Sequence, residues 1–432
     1  MARQILPSKT FFFLAVLLAV AMASSGYCTD YYVDGNSGND DAAGTSQNPW
    51  KTISHAISTA SGTDTIYVKY ATYNESLSFA PMPKRNISLV GIADGNVRPI
   101  ICSASPGTHT ITLTNYRAMI KGLEITGATN ANGINCNASS GTNNAEIMDC
   151  KLHGNSLGVH ATTAGSTDEC SPYIHNNIIC SNTTRGIGVM VYARPAIDGN
   201  YIFDNGNGSE GSGGIGNCDN SCASIINNVI YDNDIVGISV RDNANPKIVN
   251  NTITGHNRTA SDSAAIRVMH NEGISSVMIV NNIITQNEFG LRSQGGQSCS
   301  GNNYNNVWNN SFRDYFGFAK GANDISGDPL FVDPENRGYR LSASSPCIDK
   351  GTSDGAPDKD IDGRKRPQGG GYDMGAYEYR QDVVTLADAI LALKVLAGIA
   401  PYHSIEITDV NNDDKIGLEE VIYILQKVSG LR

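Results

Sequence analysis

Along the middle of the chain, apolar and polar positions repeat as Ile-x-x-Asn-x-Ile-x-x-Asn. The pattern runs Ile174-Asn177-Ile179-Asn182 and returns at Ile197-Asn200-Ile202-Asn205, Ile225-Asn228-Ile230-Asn233 and Ile279-Asn282-Ile284-Asn287. Ile248-Asn251-Ile253 places His256 in the last position, Ile120-Leu123-Ile125 and Ile147-Cys150-Leu152-Asn155 are looser early copies, and Asn305-Val307-Asn310 is a late one. The leading isoleucines lie 23 to 31 residues apart, a period foreign to any heptad helix. Between them fall further alternating segments such as Gly186-Ile187-Gly188-Val189, Gly237-Ile238-Ser239-Val240 and Ala265-Ile266-Arg267-Val268. Each unit therefore predicts about three short strands joined by Gly/Asn turns. Strands so short cannot bury a face alone, so the units are expected to stack as turns of an all-β solenoid. Asn177, Asn200, Asn228, Asn251, Asn282 and Asn305 would then form one column. There each amide bonds its own turn and the amide stacked above, a structural role and not a catalytic one.

Composition fits this reading. The 432 residues hold 45 glycines, about as many asparagines, and only 17% charged side chains. Glycine and asparagine are poor helix formers, which argues against an ordinary helical enzyme. A formal charge of −11 argues against nucleic acid as a partner. Arg3 and Lys9 precede an apolar run from Phe11 to Ala23 that ends in Ala21-Met22-Ala23. This reads as a signal peptide over residues 1–23; the run is too short for a bilayer, which needs about 20 residues. The expectation is a secreted or cell-surface chain with no membrane span and a mature charge of −13. All ten cysteines survive cleavage, and an even count in an exported chain favours disulfides, with the pairing left open.

The repeats resemble a right-handed parallel β-helix, the fold of pectate lyases and related polysaccharide-active proteins, here over residues 63–315. The opening Tyr31-Tyr32-Val33-Asp34-Gly35-Asn36 and the later Asn48-Pro49-Trp50-Lys51-Thr52-Ile53 are similar to the start of many exported β-helix proteins. They mark 29–62 as an N-terminal cap. Asn48 is expected to cap a helix, with Pro49 in its first turn and Trp50, Ile53 and Ile57 on one face. Residues 316–379 hold Asp328-Pro329-Leu330-Phe331, Ser345-Pro346-Cys347-Ile348-Asp349 and Asp373-Met374-Gly375-Ala376-Tyr377-Glu378-Tyr379. They resemble a C-terminal cap or anchor module of exported bacterial β-helix proteins. Asp360-x-Asp362-Gly363 within it reads as a polar turn.

Asp409, Asn411, Asp413, Lys415, Gly417 and Glu420 occupy the positions of a twelve-residue calcium loop. The carboxylates and amide would supply oxygens, Lys415 its carbonyl, Gly417 a water, and Glu420 a bidentate carboxylate. Asp414 stands where such a turn usually wants glycine. Leu386 to Gly398 matches Leu418 to Gly430, with helical periodicity in Val421, Ile422, Leu425 and Val428. This duplicated loop-helix, 383–432, resembles a dockerin, which implies a small α-helical domain, Ca2+ as cofactor and a cohesin-like protein partner. The first copy has no ligand series.

Strand alternation sorts side chains into core and surface. With Ile187, Ile215, Ile238, Ile266 and Leu291 inside, His160, Gly188, Gly216, Ser239, Arg267 and Arg292 face out. So do Thr162, Met190, Arg241, Met269 and Gln294 two residues further on. Arg241, Arg267 and Arg292 would form a basic stripe beside Asp242 and His270, able to hold uronate carboxylates. The sharp expectation is pectate-lyase-like β-elimination on an acidic polysaccharide, with His270 or Arg267 taking the proton. Histidine is the easier base, because arginine keeps its proton above pH 12. Three readings stay open: a polysaccharide lyase or epimerase, a non-catalytic carbohydrate-binding β-helix, and a cell-surface adhesive or structural β-helix.

Overall fold

The computed structural model describes residues 28–79, 86–95, 97–209, 211–256, 263–269, 277–295, 301–379, 389–390, 392–393, 396 and 417–429. The leader sequence, His270 and the calcium-series residues Asp409, Asn411, Asp413 and Lys415 lie outside them. No described helix is long and apolar enough to cross a membrane.

Three parallel sheets of 11, 10 and 10 strands make a right-handed β-helix. One turn visits them in order: Tyr173–His175 in the first sheet, Ile178–Cys180 in the second, Arg185–Val189 in the third, then Ala196–Asp198 back in the first. Strands this short hold together because equivalent apolar residues stack in register. Ile147, Ile174, Ile197 and Ile225 align in the first sheet. Leu152, Ile179, Ile202 and Ile230 align in the second, and Val159, Ile187, Ile215 and Ile238 in the third. None is more than 1% exposed. Each such side chain contributes roughly 1.5–3 kcal/mol on burial.

The asparagine column forms as the repeat predicts. Asn177 Nδ2 donates to Asn200 Oδ1 at 2.9 Å, and the chain of bonds continues through Asn228, Asn251 and Asn282 to Asn305 at 2.9 to 3.0 Å. Each oxygen also accepts the backbone N–H of the preceding member, as Asn200 Oδ1 does from Asn177. A second column runs through Asn155, Asn182, Asn205, Asn233, His256, Asn287 and Asn310. Both columns end on a carboxylate: Asp324 Oδ1 accepts from the backbone and side chain of Asn305, and Asp314 Oδ1 does so for Asn310. These terminators have no signature in the repeat.

The N-terminal segment supplies the strand Asp30–Val33 and the helix Ile53–Thr59. Its cap is Thr52, not Asn48, and Trp50 precedes the helix instead of joining it. Asp40 causes the shift by accepting from the backbone N–H groups of Lys51 and Thr52, which holds the chain extended there. Glu75 then takes the N–H groups of Ile53 and Ser54, setting a carboxylate at the positive end of the helix. Trp50, Ile53 and Ile57 are nevertheless all buried.

The segment from Ile325 to Tyr379 lies along the flank of the coil across several turns. Asn227, Asn250 and Asn281, each preceding a ladder asparagine, adopt left-handed φ of 54°, 55° and 59°. Asparagine tolerates that region better than most residues. Their amides donate to the carbonyls of Lys359, Asp373 and Thr352. Arg366 and Glu378 form a fully buried ion pair at 2.6 Å, and Arg366 also donates to Gly375 O. Tyr231 stacks on Phe203 and meets Tyr339, with Arg337 lying over both of the first two rings. Asp360 accepts from Asp362 N and Arg364 N, confirming a polar turn there.

The expected disulfides do not form among the described residues: nine cysteines are free thiols. Cys136, Cys150, Cys170 and Cys347 are buried, and burial pushes Cys150, Cys170 and Cys347 up to about 12. They fill space as small apolar residues do.

At the C-terminus, Leu418–Val428 is a helix. Its buried apolar positions are Val421 and Ile424, whereas Ile422, Leu425 and Val428 are exposed. The sequence periodicity had grouped the latter three with Val421 on one face. The exposed positions have duplicates in Ile390, Leu393 and Leu396, also exposed, while Ala389 and Ala392 are buried.

Candidate functional site on the third sheet

The outer face of the third sheet carries different residues on successive turns. Register places Thr112, Asn135, His160, Gly188, Gly216, Ser239, Arg267 and Arg292 in one file. Thr114, Asn137 and Thr162 stand in register in the next. The alternation rule thus placed His160, Arg267 and Arg292 correctly by direction, and Arg267 and Arg292 are neighbours across two strands.

Exposure is where the expected stripe fails. Arg267 is 1% exposed and Arg292 8%. The strands from Arg185–Val189 to Ala264–Met269 are buried on both faces, unlike the alternating strands before them. Arg292 lies beneath aromatic rings, with its Cζ 4.5 Å from the centroid of Phe289 and 5.9 Å from that of Phe316. A buried Arg267 does not present itself to a polymer as a base. Arg241 is partly exposed and pairs with its neighbour Asp242 at 3.3 Å, in the turn that follows the strand. The acid therefore offsets the cation it adjoins. His270, the other candidate base, lies outside the described residues.

The structure instead gathers polar groups nearer the N-terminal end of this face. Gly188 and Gly216 carry no side chain in the file, and neighbouring side chains fill the places theirs would take. A Cβ on Gly188 would lie 2.6 Å from Leu157 Cδ2 and 3.5 Å from His160 Cδ2. Arg185 folds across Gly216, where an added Cβ would meet its Nε at 2.9 Å. That Nε donates to Gly211 O at 2.7 Å. Burial, followed by the nearby Arg241, lowers the Arg185 guanidinium from its ordinary value. Arg185 was not singled out from the sequence because it sits on the other side of the inward Ile187, two positions before it.

His160 Nδ1 lies 2.9 Å from Asn135 Oδ1, which also accepts from Asn132 Nδ2 at 3.1 Å. The backbone N–H of Asn132 donates to His109 Nδ1 at 3.0 Å. Burial pushes His160 down to about 4, aided by His109 and Arg185, and burial lowers His109 too. Both imidazoles are neutral at neutral pH. His109 precedes its strand and carries no repeat signature, so pattern reading passed over it. Neutral imidazoles, amides and hydroxyls beside a guanidinium can hold sugar hydroxyls and a carboxylate together.

Of the calcium series, Gly417 and Glu420 are described. Glu420 is buried on the first turn of its helix, and its Oε2 accepts from Gly417 N at 2.6 Å. A glutamate that accepts the N–H three residues before it is the reciprocal half of a helix capping box. Among the described residues no three carboxylate, imidazole or thiol side chains gather as a metal group.

A family model described as a protein of unknown function (DUF1565) matches residues 36–244, just under half of the chain. No curated protein matches the chain significantly. Among solved structures, the chain is similar to pectate lyase Pel9A with a TM-score of 0.51 and 17% identity, over 82% of this chain and 98% of that one. A rhamnogalacturonan lyase gives 0.43 and 14%, over 76% and 97%. The A-module of the Azotobacter vinelandii mannuronan C-5 epimerase AlgE6 gives 0.31 and 14%, over 64% and 93%. At such identities the likeness is one of fold.

Proposed function

We propose that this chain is an exported β-helix protein that binds an acidic polysaccharide across the outer face of its third sheet and cleaves it there by β-elimination. The observation that carries the reading is the file Thr112, Asn135, His160, Gly188 and Gly216, crossed by Arg185. It offers hydroxyl, amide and imidazole groups, with no carboxylate in the file. Arg241, whose side chain is 36% exposed, would turn from Asp242 to take the uronate carboxylate, and neutralising that charge would acidify the adjacent sugar C–H. The printed name of Pel9A, a pectate lyase sharing this fold, agrees with the reading.

The test is binding of the full chain to polygalacturonate and alginate against neutral glucans, with release of unsaturated product followed by ultraviolet absorbance. Salt-sensitive binding to a polyuronate, weakened about tenfold in Arg241→Met, is expected, since removing a charged hydrogen bond costs roughly 1.5–3 kcal/mol. Binding without product would leave a non-catalytic β-helix. No preference for polyuronates would sink the proposal.

For the C-terminus we propose calcium binding through Asp409, Asn411, Asp413, Lys415, Gly417 and Glu420, in a module for attachment to a cohesin-like partner. The spacing of these residues along the chain supports the first part, and the duplicated exposed apolar positions support the second. Calorimetry of the full chain with Ca2+ should give a binding heat that Glu420→Gln abolishes. Equal heats for the two proteins would reject the site.

A further inference from the structure

Asn132 touches both histidines of the third-sheet face, one through its backbone and the other through a relay. Its side-chain Nδ2 donates to Asn135 Oδ1. That oxygen carries no hydrogen, so the bond to His160 requires the proton on His160 Nδ1. His160 Nε2 is therefore left with a lone pair. The backbone N–H of the same Asn132 donates to His109 Nδ1, which must be the unprotonated nitrogen of that ring. His109 therefore carries its hydrogen on Nε2. One residue fixes two opposite tautomers: an imidazole that accepts at Nε2 and one that donates from Nε2.

We infer that His160 is the proton acceptor of this site, that His109 is a neutral hydrogen-bond donor to the substrate, and that Asn132 and Asn135 are positioning residues setting the two tautomers. The inference rests on the polysaccharide reading. In the elimination, the C–H bond beside the uronate carboxylate breaks and its proton passes to His160 Nε2. The electron pair forms the new C=C bond while the C–O bond to the leaving sugar breaks. The leaving oxygen takes the proton from the His160 imidazolium, which returns to neutral. Nothing is oxidised or reduced overall. His109 keeps its hydrogen throughout, because losing it would create an imidazolate; it stabilises developing charge as a donor.

The charged and titratable groups that the structure places around His160 are His109 and Arg185. Burial and these two neighbours hold the free imidazole at about 4, ready to accept. A bound carboxylate moves that value upward, toward the pH at which a base works best.

The test has a substrate-free arm and a turnover arm on the full chain. Nitrogen-15 correlation spectra at neutral pH should show His160 as the Nδ1–H tautomer and His109 as the Nε2–H tautomer, and Asn135→Ala should release the first but not the second. With polygalacturonate or alginate, His160→Gln should lose at least about a hundredfold in turnover, the usual range for a general base, while its affinity stays within about threefold. Asn135→Ala should lose rate and shift the acidic limb of the pH profile. An Nε2–H tautomer at His160, a His160→Gln rate close to native, or native binding without product would each overturn the assignment. Failure of the native chain to bind any polyuronate overturns the polysaccharide reading instead, while the tautomer spectra stand apart from that result.

Discussion

Where the first and second sheets meet, nearly every turn carries the same residue at the same place. On the outer face of the third sheet, hardly any neighbouring turns do. The ladder position reads Asn177, Asn200, Asn228, Asn251, Asn282 and Asn305, and each member bonds the next. The outer file reads Thr112, Asn135, His160, Gly188, Gly216, Ser239, Arg267 and Arg292. A side chain that must hydrogen-bond its own image above and below cannot change singly. An outward one is free of that demand and available to recognise something else. Repetition in this chain marks what holds the coil, and its loss marks where chemistry can be placed.

The flank next to the ladder should break hardest. Arg366 and Glu378 are both fully buried, with Asp360 and Asp373 nearby. Arg366→Met leaves Glu378 buried without its cation and is expected to destabilise the docked C-terminal segment by about 3–5 kcal/mol. Thermal unfolding with limited proteolysis reads this as early cleavage between Ile325 and Tyr379. Resistance equal to that of the native chain would mean that the pair does not hold the flank.

A matched pair of substitutions sharpens the contrast directly. Asn228→Ala removes the side-chain bonds to Asn251, Ile197 and Ile226 and takes the acceptor shared by the backbone and side chain of Asn200, leaving buried polar groups exposed to desolvation costs. A loss of roughly 2–4 kcal/mol is expected, since each stranded group costs about 1–3 kcal/mol. Asn135→Ala, the same change on the partly exposed outer face, should cost under about 1 kcal/mol. Denaturant unfolding compares them, and equal losses would erase the distinction drawn between the two faces.

The flank should also respond to pH. Burial pushes Asp373 up to about 7, with Glu378 adding to the rise, against hydrogen bonds from Asp349 N and Tyr379 N. Glu378 and Asp360 are raised as well, chiefly by burial. Carboxyls whose folded values lie above their unfolded ones favour the folded state in the protonated form. Their contribution is complete below the ordinary carboxylate range and is lost as pH rises through about 7. The docked segment should therefore melt higher at about pH 5 than at about pH 8, with a smaller difference in Asp373→Asn. A melting temperature that rises over that interval would reverse the sign.

Much of the coil was legible because its interior is periodic. Ile147, Ile174, Ile197 and Ile225 announce their stacking, and the second asparagine of Asn227-Asn228, Asn250-Asn251 and Asn281-Asn282 announces the ladder. The first asparagine of each doublet holds the flank, a role visible only once a distant segment lies against it. Helix capping by Thr52 was missed because it depends on Asp40 and Glu75, residues far from the local motif. On the third sheet, alternation gave the direction of His160, Arg267 and Arg292 but not their burial. Which loop or ring covers a side chain is a tertiary fact, as Phe289 over Arg292 shows. Arg185 and His109 enter the site through one Gly216 and one Asn132, contacts that no period encodes.

His256 offers the smallest test and the finest one, because it is a departure from the repeat inside the ladder itself. Its Nε2 lies 3.3 Å from Asn233 Nδ2, and its Nδ1 lies 2.8 Å from Asn287 Oδ1. The ring therefore passes the hydrogen-bond chain onward, accepting on one side and donating on the other. Asparagine can do the same with its oxygen and its amide. Its smaller volume leaves some space beside Gly237, whose added Cβ would meet His256 Cε1 at 3.1 Å. The restored amide geometry and that space oppose each other. His256→Asn is thus expected to change stability by less than about 1 kcal/mol, whereas His256→Ala should cost roughly 2 kcal/mol by removing the ring's bonds to Asn233 and Asn287 and leaving a buried cavity. If denaturant unfolding shows the asparagine to be as damaging as the alanine, the imidazole does something the ladder alone does not require. Position 256 would then belong with the irregular outer face and not with the repeat.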